Sequence, residues 1–141
     1  MNKLKSVLLI DDCKATNYIH RLIIEKYGFT ESITEFMNGR EAMDYLTTAV
    51  DGVFPQPDLI FLDLNMPVMN GWEFLDEYKL LPKEQHAGVV VVMLTTSLNP
   101  DDESTANTIE DVNTFSSKPL TMEKLDSVLT EYYADCVREL P

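Results

Sequence analysis

The chain of 141 residues has few basic residues and only two cysteines. Its 11 Lys and Arg stand against 24 Asp and Glu, which gives a formal net charge of −13. Binding to nucleic acid needs cationic side chains that neutralise phosphates, so this balance argues against direct contact with DNA or RNA. The excess acid is compatible with a divalent cation or a basic partner surface, although for most of these residues solubility is the simpler explanation.

The chain also lacks a disulfide framework and a long apolar segment. Cys13 and Cys136 match no closely spaced metal-binding pattern, and two thiols are too few to staple a small fold, so we expect a reduced, cytoplasmic protein. The first apolar run, residues 7–10, is too short for a signal peptide, and no run approaches the length of a transmembrane helix. We therefore expect no membrane insertion.

Short apolar runs alternate with helical patterns five times along the chain. Residues 89–94 are continuously apolar and rich in valine, which is typical of a strand covered on both faces. Asp12, Asn99 and Thr121 are candidate helix N-caps, and Gly28 is a natural helix stop. This order predicts an α/β fold with a doubly wound, five-stranded parallel sheet and five helices. The predicted strands cover residues 7–10, 32–36, 59–62, 89–94 and 113–117, and the helices begin near residues 12, 39, 72, 99 and 121, the second extending to about residue 50.

Polar residues follow four of the predicted strands. In open α/β sheets, ligands bind outside the carboxyl ends of the strands, and a parallel sheet gathers those ends at one edge. Taken singly, each such residue has an ordinary explanation as a turn former, a surface lysine or a β-former. Together they predict one site. Its candidate members are Asp11 and Asp12 after the first strand, Asp63 after the third, Thr95, Thr96 and Ser97 after the fourth, and Lys118 and Pro119 after the fifth.

Three carboxylates near one point repel each other unless a cation compensates them. Mg²⁺ takes oxygen ligands, prefers one or two carboxylates, and leaves positions for water and phosphate oxygens. One carboxylate then remains available as a nucleophile. Thr95 and Lys118 add a hydrogen-bond donor and a positive charge that suit phosphoryl oxygens.

These stretches together resemble the receiver domain of bacterial two-component response regulators, particularly single-domain, chemotaxis-regulator-like members. The resemblance covers the chain from about residue 7 to about residue 132 and implies a flavodoxin-like fold. It also implies one receiver domain over residues 1–141 with no output domain. The matching stretches are VLLIDD (7–12), DLIFLDLNMP (58–67), NG (70–71), MLTTS (93–97) and FSSKPL (115–120).

The resemblance implies a role for each matching residue. Asp63 is expected to accept a phosphoryl group from a phosphohistidine on a sensor histidine kinase or a histidine phosphotransfer protein. Mg²⁺, with Mn²⁺ as an alternative, is expected to bind Asp11, Asp12, Asp63 and the backbone carbonyl of Asn65. Thr95 and Lys118 are expected to contact the phosphoryl oxygens. The protein would therefore be a switch that promotes its own phosphorylation and dephosphorylation at Asp63, with no separate enzymatic activity.

The resemblance further implies a conformational switch. Thr95 would move toward the phosphoryl group while Phe115 turns inward, although Phe115 is equally explained as a core residue. The face formed by the fourth predicted helix, the fifth strand and the fifth predicted helix would then bind an unknown downstream protein or a second copy of the chain. The Lys118–Pro119 peptide bond is expected to be cis.

Several other residues invite narrower predictions. Asn65 and Ser97 occupy positions that tune dephosphorylation in the family, and Thr96 is larger than the Ala or Gly of many receivers. Cys13 is interpreted as a small buried residue in preference to a redox group, and His20 and His86 as surface residues. Two other functions stay open: a haloacid-dehalogenase-like Mg²⁺-dependent phosphatase, and a pseudo-receiver that only binds partners. The first places its nucleophile on the first strand, and the second usually lacks one of the acids, the Thr or the Lys.

Overall fold

The computed structural model describes residues 3–86, 88–96 and 98–137. A single five-stranded parallel sheet has the strand order β2-β1-β3-β4-β5, which confirms the predicted doubly wound fold. Within the described residues the strands are β1 (Leu4–Ile10), β2 (Thr30–Phe36), β3 (Leu59–Asp63), β4 (Val90–Thr95) and β5 (Thr114–Ser117). The helices are α1 (Lys14–Tyr27), α2 (Gly39–Leu46), α3 (Gly71–Tyr78), α4 (Lys83–His86), α5 (Pro100–Asn107) and α6 (Met122–Tyr132), and a 3₁₀ turn covers Ala134–Cys136.

The central strands β3 and β4 are buried along their whole length. Alternate side chains enter two separate cores, because successive residues of a strand point to opposite faces. Leu59 and Val92 pack with α1 and α6, whereas Ile60 and Val91 pack with α2 and α3. Each large apolar side chain buried in this way contributes about 1.5–3 kcal/mol to the free energy of unfolding. The continuous apolar runs therefore lie where the sequence pattern predicts them.

Strand register brings distant residues to one edge of the sheet. The chain reverses its winding at β1, which pairs with β2 on one side and β3 on the other. Ile10 pairs with Leu62, so Asp11 and Asp63 leave adjacent strands at the same level. Thr95 pairs with Ser117, which places Lys118 beside the end of β4.

The predicted helices need two corrections. Helix α2 ends at Leu46, because the hydroxyls of Thr47 and Thr48 donate to the carbonyls of Met43 and Asp44 and close the last turn. The one-turn helix α4 was not predicted, so the fourth and fifth predicted helices correspond to α5 and α6.

Three of the four predicted helix ends, two N-caps and one stop, are confirmed. Asn99 accepts from the amide of Asp101, and Thr121 accepts from that of Lys124. Gly28 ends α1 with a φ of 81°, a conformation that glycine adopts without steric cost. Asp12 is not a cap: Cys13 takes that position without a side-chain cap, and its amide donates to the carboxylate of Asp11. Over the described part of the chain, every helix is too short or too polar to cross a membrane.

Candidate functional site

Three aspartates meet at the carboxyl edge of the sheet. Asp11 and Asp12 follow β1, and Asp63 is the last residue of β3. One carboxylate oxygen from each lies within 4.8 Å of the others, with Asp11 and Asp63 buried and Asp12 exposed. The predicted convergence of these acids is therefore present in the structure.

Lys118, directly after β5, adds a positive charge to the cluster. Its Nζ lies 2.8 Å from Oδ2 of Asp11 and 2.9 Å from Oδ1 of Asp63. Its backbone amide donates to the carbonyl of Thr95 at 2.7 Å, so β4 fixes the start of the Lys118 loop. The Lys118–Pro119 peptide bond is cis, as the resemblance implies. The ammonium group thus bridges the acids at the ends of β1 and β3.

Burial and neighbouring charges shift the acid–base behaviour of this cluster. Burial is the main cause that raises the pKa of Asp63 to about 6; Asp11 and Asp12 raise it further, and Lys118 opposes them. Burial alone would lower the pKa of Lys118, but its hydrogen bonds to Asp11 and Asp63 outweigh that effect and raise it. With three acids and one lysine, the cluster carries an excess of negative charge that a divalent cation would balance.

A close-packed turn after β3 fixes the position of Asp63. A Cβ atom on Gly71 would lie 2.9 Å from the carbonyl oxygen of Asp63 and 3.1 Å from Cα of Leu64, so only glycine fits there. The amide of Gly71 donates to the carbonyl of Leu64 at 2.9 Å. Asn70 and Glu73 then form a capping box that starts α3. The Asn70–Gly71 pair therefore has a structural role.

The other predicted residues lie around this cluster at different depths. Thr95 is buried at the end of β4, and Thr96 next to it is exposed. Asn65 is exposed two residues after Asp63. Phe115 is half-buried in β5, where it packs against the core on the α2 and α3 side. Ser97 lies outside the described residues.

Three predictions about accessibility are wrong. Cys13 is exposed, because it precedes the first turn of α1 at the open edge of the sheet. His86 is not a simple surface residue: its Nδ1 lies 3.2 Å from Oδ1 of Asp111, its Nε2 lies 2.8 Å from the carbonyl of Leu81, and its ring packs on Tyr78. His20 is buried, with 2% of its surface exposed.

Sequence reasoning missed two buried polar residues behind the cluster, Asn17 and His20. The apolar residues Ile19 and Leu22 lie at helical spacing in the sequence, but both are 47% exposed. The buried face of α1 is formed instead by Asn17, His20, Ile24 and Tyr27. Positions 17 and 20 are in helical phase with 24 and 27, and this spacing was the available signal.

Comparison with known proteins agrees with this geometry. The family model of the response regulator receiver domain matches residues 7–130. The probable methanogenesis regulatory protein FilR2 of Methanothrix harundinacea (strain 6Ac) is 34% identical over 125 residues, which cover 89% of this chain and 79% of that protein.

Solved structures show the same likeness. A two-component response regulator from Cytophaga hutchinsonii has a TM-score of 0.83 and 32% identity, covering 94% of this chain and 99% of that chain. The Mn²⁺-bound form of response regulator Rcp1 has a TM-score of 0.71 and 27% identity, covering 97% of both chains. The chain therefore belongs to the family of response regulator receiver domains of two-component systems.

Proposed function

We propose that the protein is a phosphoacceptor switch in which Asp63 receives a phosphoryl group from a phosphohistidine. The observation that supports this most directly is the ion pair between Lys118 and Asp63 inside a cluster with Asp11 and Asp12. It joins a buried carboxylate to a fixed positive charge, with excess acid beside them. Such an arrangement suits transfer of a charged phosphoryl group better than a purely structural role.

In the proposed reaction, a carboxylate oxygen of Asp63 attacks phosphorus while the phosphorus–nitrogen bond of the phosphohistidine breaks. An aspartyl phosphate forms, and the imidazole keeps the electron pair and takes a proton from solvent. Lys118 neutralises charge that spreads over the phosphoryl oxygens in the transition state. Thr95 donates a hydrogen bond to one of these oxygens in the product.

The donor set fits a hard divalent cation. Asp11, Asp12 and Asp63 supply carboxylate oxygens, and the backbone carbonyl of Asn65 is proposed as a further ligand. Bound Mg²⁺ would supply additional positive charge next to the phosphoryl group. Mn²⁺ takes similar ligands, and the similar protein Rcp1 has been solved in a Mn²⁺-bound form.

The decisive experiment is intact mass spectrometry after incubation with acetyl phosphate and Mg²⁺. Wild-type protein should gain the mass of one phosphoryl group, and Asp63→Asn should gain none, because an amide is not a competent nucleophile. Asp76→Asn is the matched control, since Asp76 lies exposed on α3. A gain of equal size in Asp63→Asn would contradict the proposal, and no gain in any variant would favour a pseudo-receiver.

Cation binding can be measured separately from phosphorylation. Trp72 is half-buried at the start of α3, soon after the loop that follows Asp63, so its fluorescence should report Mg²⁺ and beryllofluoride. Asp12→Asn should weaken Mg²⁺ binding at least about tenfold, because removing a ligand costs charge as well as an oxygen. Unchanged affinity in Asp12→Asn would exclude this aspartate from the metal site.

The signal is proposed to leave through the face formed by α5, β5 and α6. Thr95 would move toward the phosphoryl group and Phe115 would turn further inward, changing the surface on which β5 lies between the two helices. The partner would be a downstream protein, a phosphotransfer protein or a second copy of the chain, and residues 1–141 would act as one receiver domain.

The free cysteines, Cys13 and Cys136, fit a reducing compartment, and we place the protein in the cytoplasm.

A further inference from the structure

Two buried polar side chains on α1 hold the backbones of the two segments that carry Asp11 and Lys118. Asn17 and His20 lie about one helical turn apart, with 1% and 2% of their surfaces exposed. Nδ2 of Asn17 donates to the carbonyl of Asp11 at 3.0 Å. The amide of Leu120 donates to Nε2 of His20 at 3.2 Å. One rigid helix therefore contacts the chain after β1 and the chain after β5.

The bond from Leu120 determines the protonation state of His20. A backbone amide is only a donor, so Nε2 must keep its lone pair and the ring must be neutral, with its proton on Nδ1. Burial lowers the pKa of His20 to about 4, and Lys118 and Lys124 act in the same direction while Asp11 opposes them. At neutral pH the ring is therefore a permanent acceptor for the Lys118 loop.

Other bonds hold this loop from α6 and β4. Nζ of Lys124, on α6, donates to the carbonyl and hydroxyl of Ser117 and to the carbonyl of Pro119, at 2.8, 3.0 and 3.1 Å. The amide of Lys118 is bound to Thr95 on β4. Toward α1, by contrast, a cavity of about 240 Å³ lies against the loop, lined by Thr16, Ile19, His20, Thr96, Lys118 and Pro119. The cavity leaves the loop room to shift if the bond to His20 is lost.

We propose that His20 is a positioning residue: by binding the amide of Leu120 it fixes Lys118 against Asp11 and Asp63, while Asn17 fixes Asp11 from the same helix. The effect on phosphorylation rests on the proposed function, whereas the effect on the position of Lys118 does not. An ammonium displaced by about 1 Å stabilises the transition state much less, although the carboxylates stay in place.

A matched pair of amides tests the bond. In His20→Gln the side-chain oxygen can occupy the position of Nε2, whereas in His20→Asn it is one methylene too short to reach Leu120. We expect the rate of phosphorylation by acetyl phosphate to fall about tenfold in His20→Asn and by less than about threefold in His20→Gln. Ile24→Ala is the control, because it creates a cavity in the buried face of α1, one turn away, and leaves both partners of the bond between His20 and Leu120 in the chain.

A second readout separates positioning from loss of structure. Mg²⁺ affinity should not weaken in His20→Asn, since the carboxylates keep their places, whereas general loosening would weaken it. The ¹³Cε resonance of Lys118 should move toward that of a solvent-exposed lysine in His20→Asn and stay at its wild-type value in His20→Gln. His20→Leu provides a further variant without an acceptor if His20→Asn does not fold.

The outcomes distinguish the two proposals. Equal phosphorylation rates in His20→Asn and Ile24→Ala, with an unmoved Lys118 resonance, would overturn the positioning role and leave the phosphoacceptor function intact. If the wild-type protein takes up no phosphoryl group, the phosphoacceptor function fails and the Lys118 resonance alone decides the role of His20. Restoration of both the rate and the resonance by His20→Gln supports the inference.

Discussion

The two edges of the sheet treat aspartates in opposite ways. At the amino edge, Oδ2 of Asp58 accepts from the amides of Lys5 and Ser6 at 2.7 and 3.3 Å, and the hydroxyl of Tyr133 lies 2.7 Å from the carbonyls of Asp58 and Gly88. At the carboxyl edge, Asp63 faces other carboxylates, and burial is the main reason that its pKa lies near 6. Backbone donors stabilise the charged carboxylate of Asp58, which thereby links two strands. Neighbouring like charges destabilise the charged carboxylate of Asp63, which favours binding of a cation or a phosphoryl group.

The difference also explains which edge stabilises the fold. The Asp58 carboxylate ties the start of β3 to the start of β1 with charge-assisted hydrogen bonds, which are stronger than neutral ones. The carboxyl edge instead carries repulsion that the rest of the fold must offset, a common property of functional sites. Substitution of an aspartate should therefore lower the free energy of unfolding at the amino edge and raise it at the carboxyl edge.

The largest effect is expected at the amino edge. Asp58→Ala leaves the amides of Lys5 and Ser6 without their acceptor, so it should lower the free energy of unfolding by about 2–3 kcal/mol. Urea unfolding of the variant beside Asp76→Ala, which removes an exposed aspartate, measures this loss. A stability equal to that of the control would mean that the two edges do not differ.

Acid should lower the free energy of unfolding through protonation of His20. Its pKa is about 4 in the folded protein and about 6.5 when unfolded, so the unfolded chain binds more protons between these values. Its contribution to stability is complete above pH 6.5 and is lost as the pH falls toward 4. We expect wild-type protein to lose about 2 kcal/mol more than His20→Gln between pH 7 and pH 5, measured by urea unfolding. Parallel losses in the two proteins would contradict this prediction.

A gain in stability is expected when Asp63 is neutralised. Its pKa is raised above the unfolded value of 3.8, so its penalty is fully present above pH 6 and disappears as the pH falls through 3.8. At pH 7 without a divalent cation, the free energy of unfolding of Asp63→Asn should be about 1–2 kcal/mol higher than that of the wild type. This value allows for the weaker bond to Lys118 in the variant. Addition of Mg²⁺ should narrow the difference, and a destabilised Asp63→Asn would show that attraction to Lys118 prevails over burial and repulsion.

Sequence alone predicted the parts of the molecule that depend on local pattern. The valine run of β4 and the acids after β1 and β3 were identified, because a buried strand is continuously apolar and parallel strands end at one edge. The one-turn helix α4 was missed, since four polar residues carry no periodic signal.

The buried face of α1 was not predicted, and the reason is physical. Tyr18 and Ile19 look like core residues but are exposed, whereas Asn17 and His20 are buried because backbone groups of other segments bind them. Those partners, Asp11 and Leu120, lie up to 100 residues away in the sequence. Apart from helical phase with Ile24 and Tyr27, a polar residue that is buried for a hydrogen bond to another segment has the same local appearance as one that faces water.

The smallest effect is expected at the rim of the carboxyl edge, where Thr96 is exposed and lines the cavity beside Lys118. We expect its side chain to narrow the approach of a small phosphodonor to Asp63 without contributing to the charge balance. Thr96→Ala should therefore raise the rate of phosphorylation by acetyl phosphate about two- to fivefold, less than about 1 kcal/mol in activation free energy, while the free energy of unfolding changes little. Phosphorylation time courses at several acetyl phosphate concentrations measure the rate. An unchanged rate would mean that the side chain of Thr96 does not limit access to Asp63. The rate of phosphorylation would then depend on the charges and positions of the three acids and Lys118.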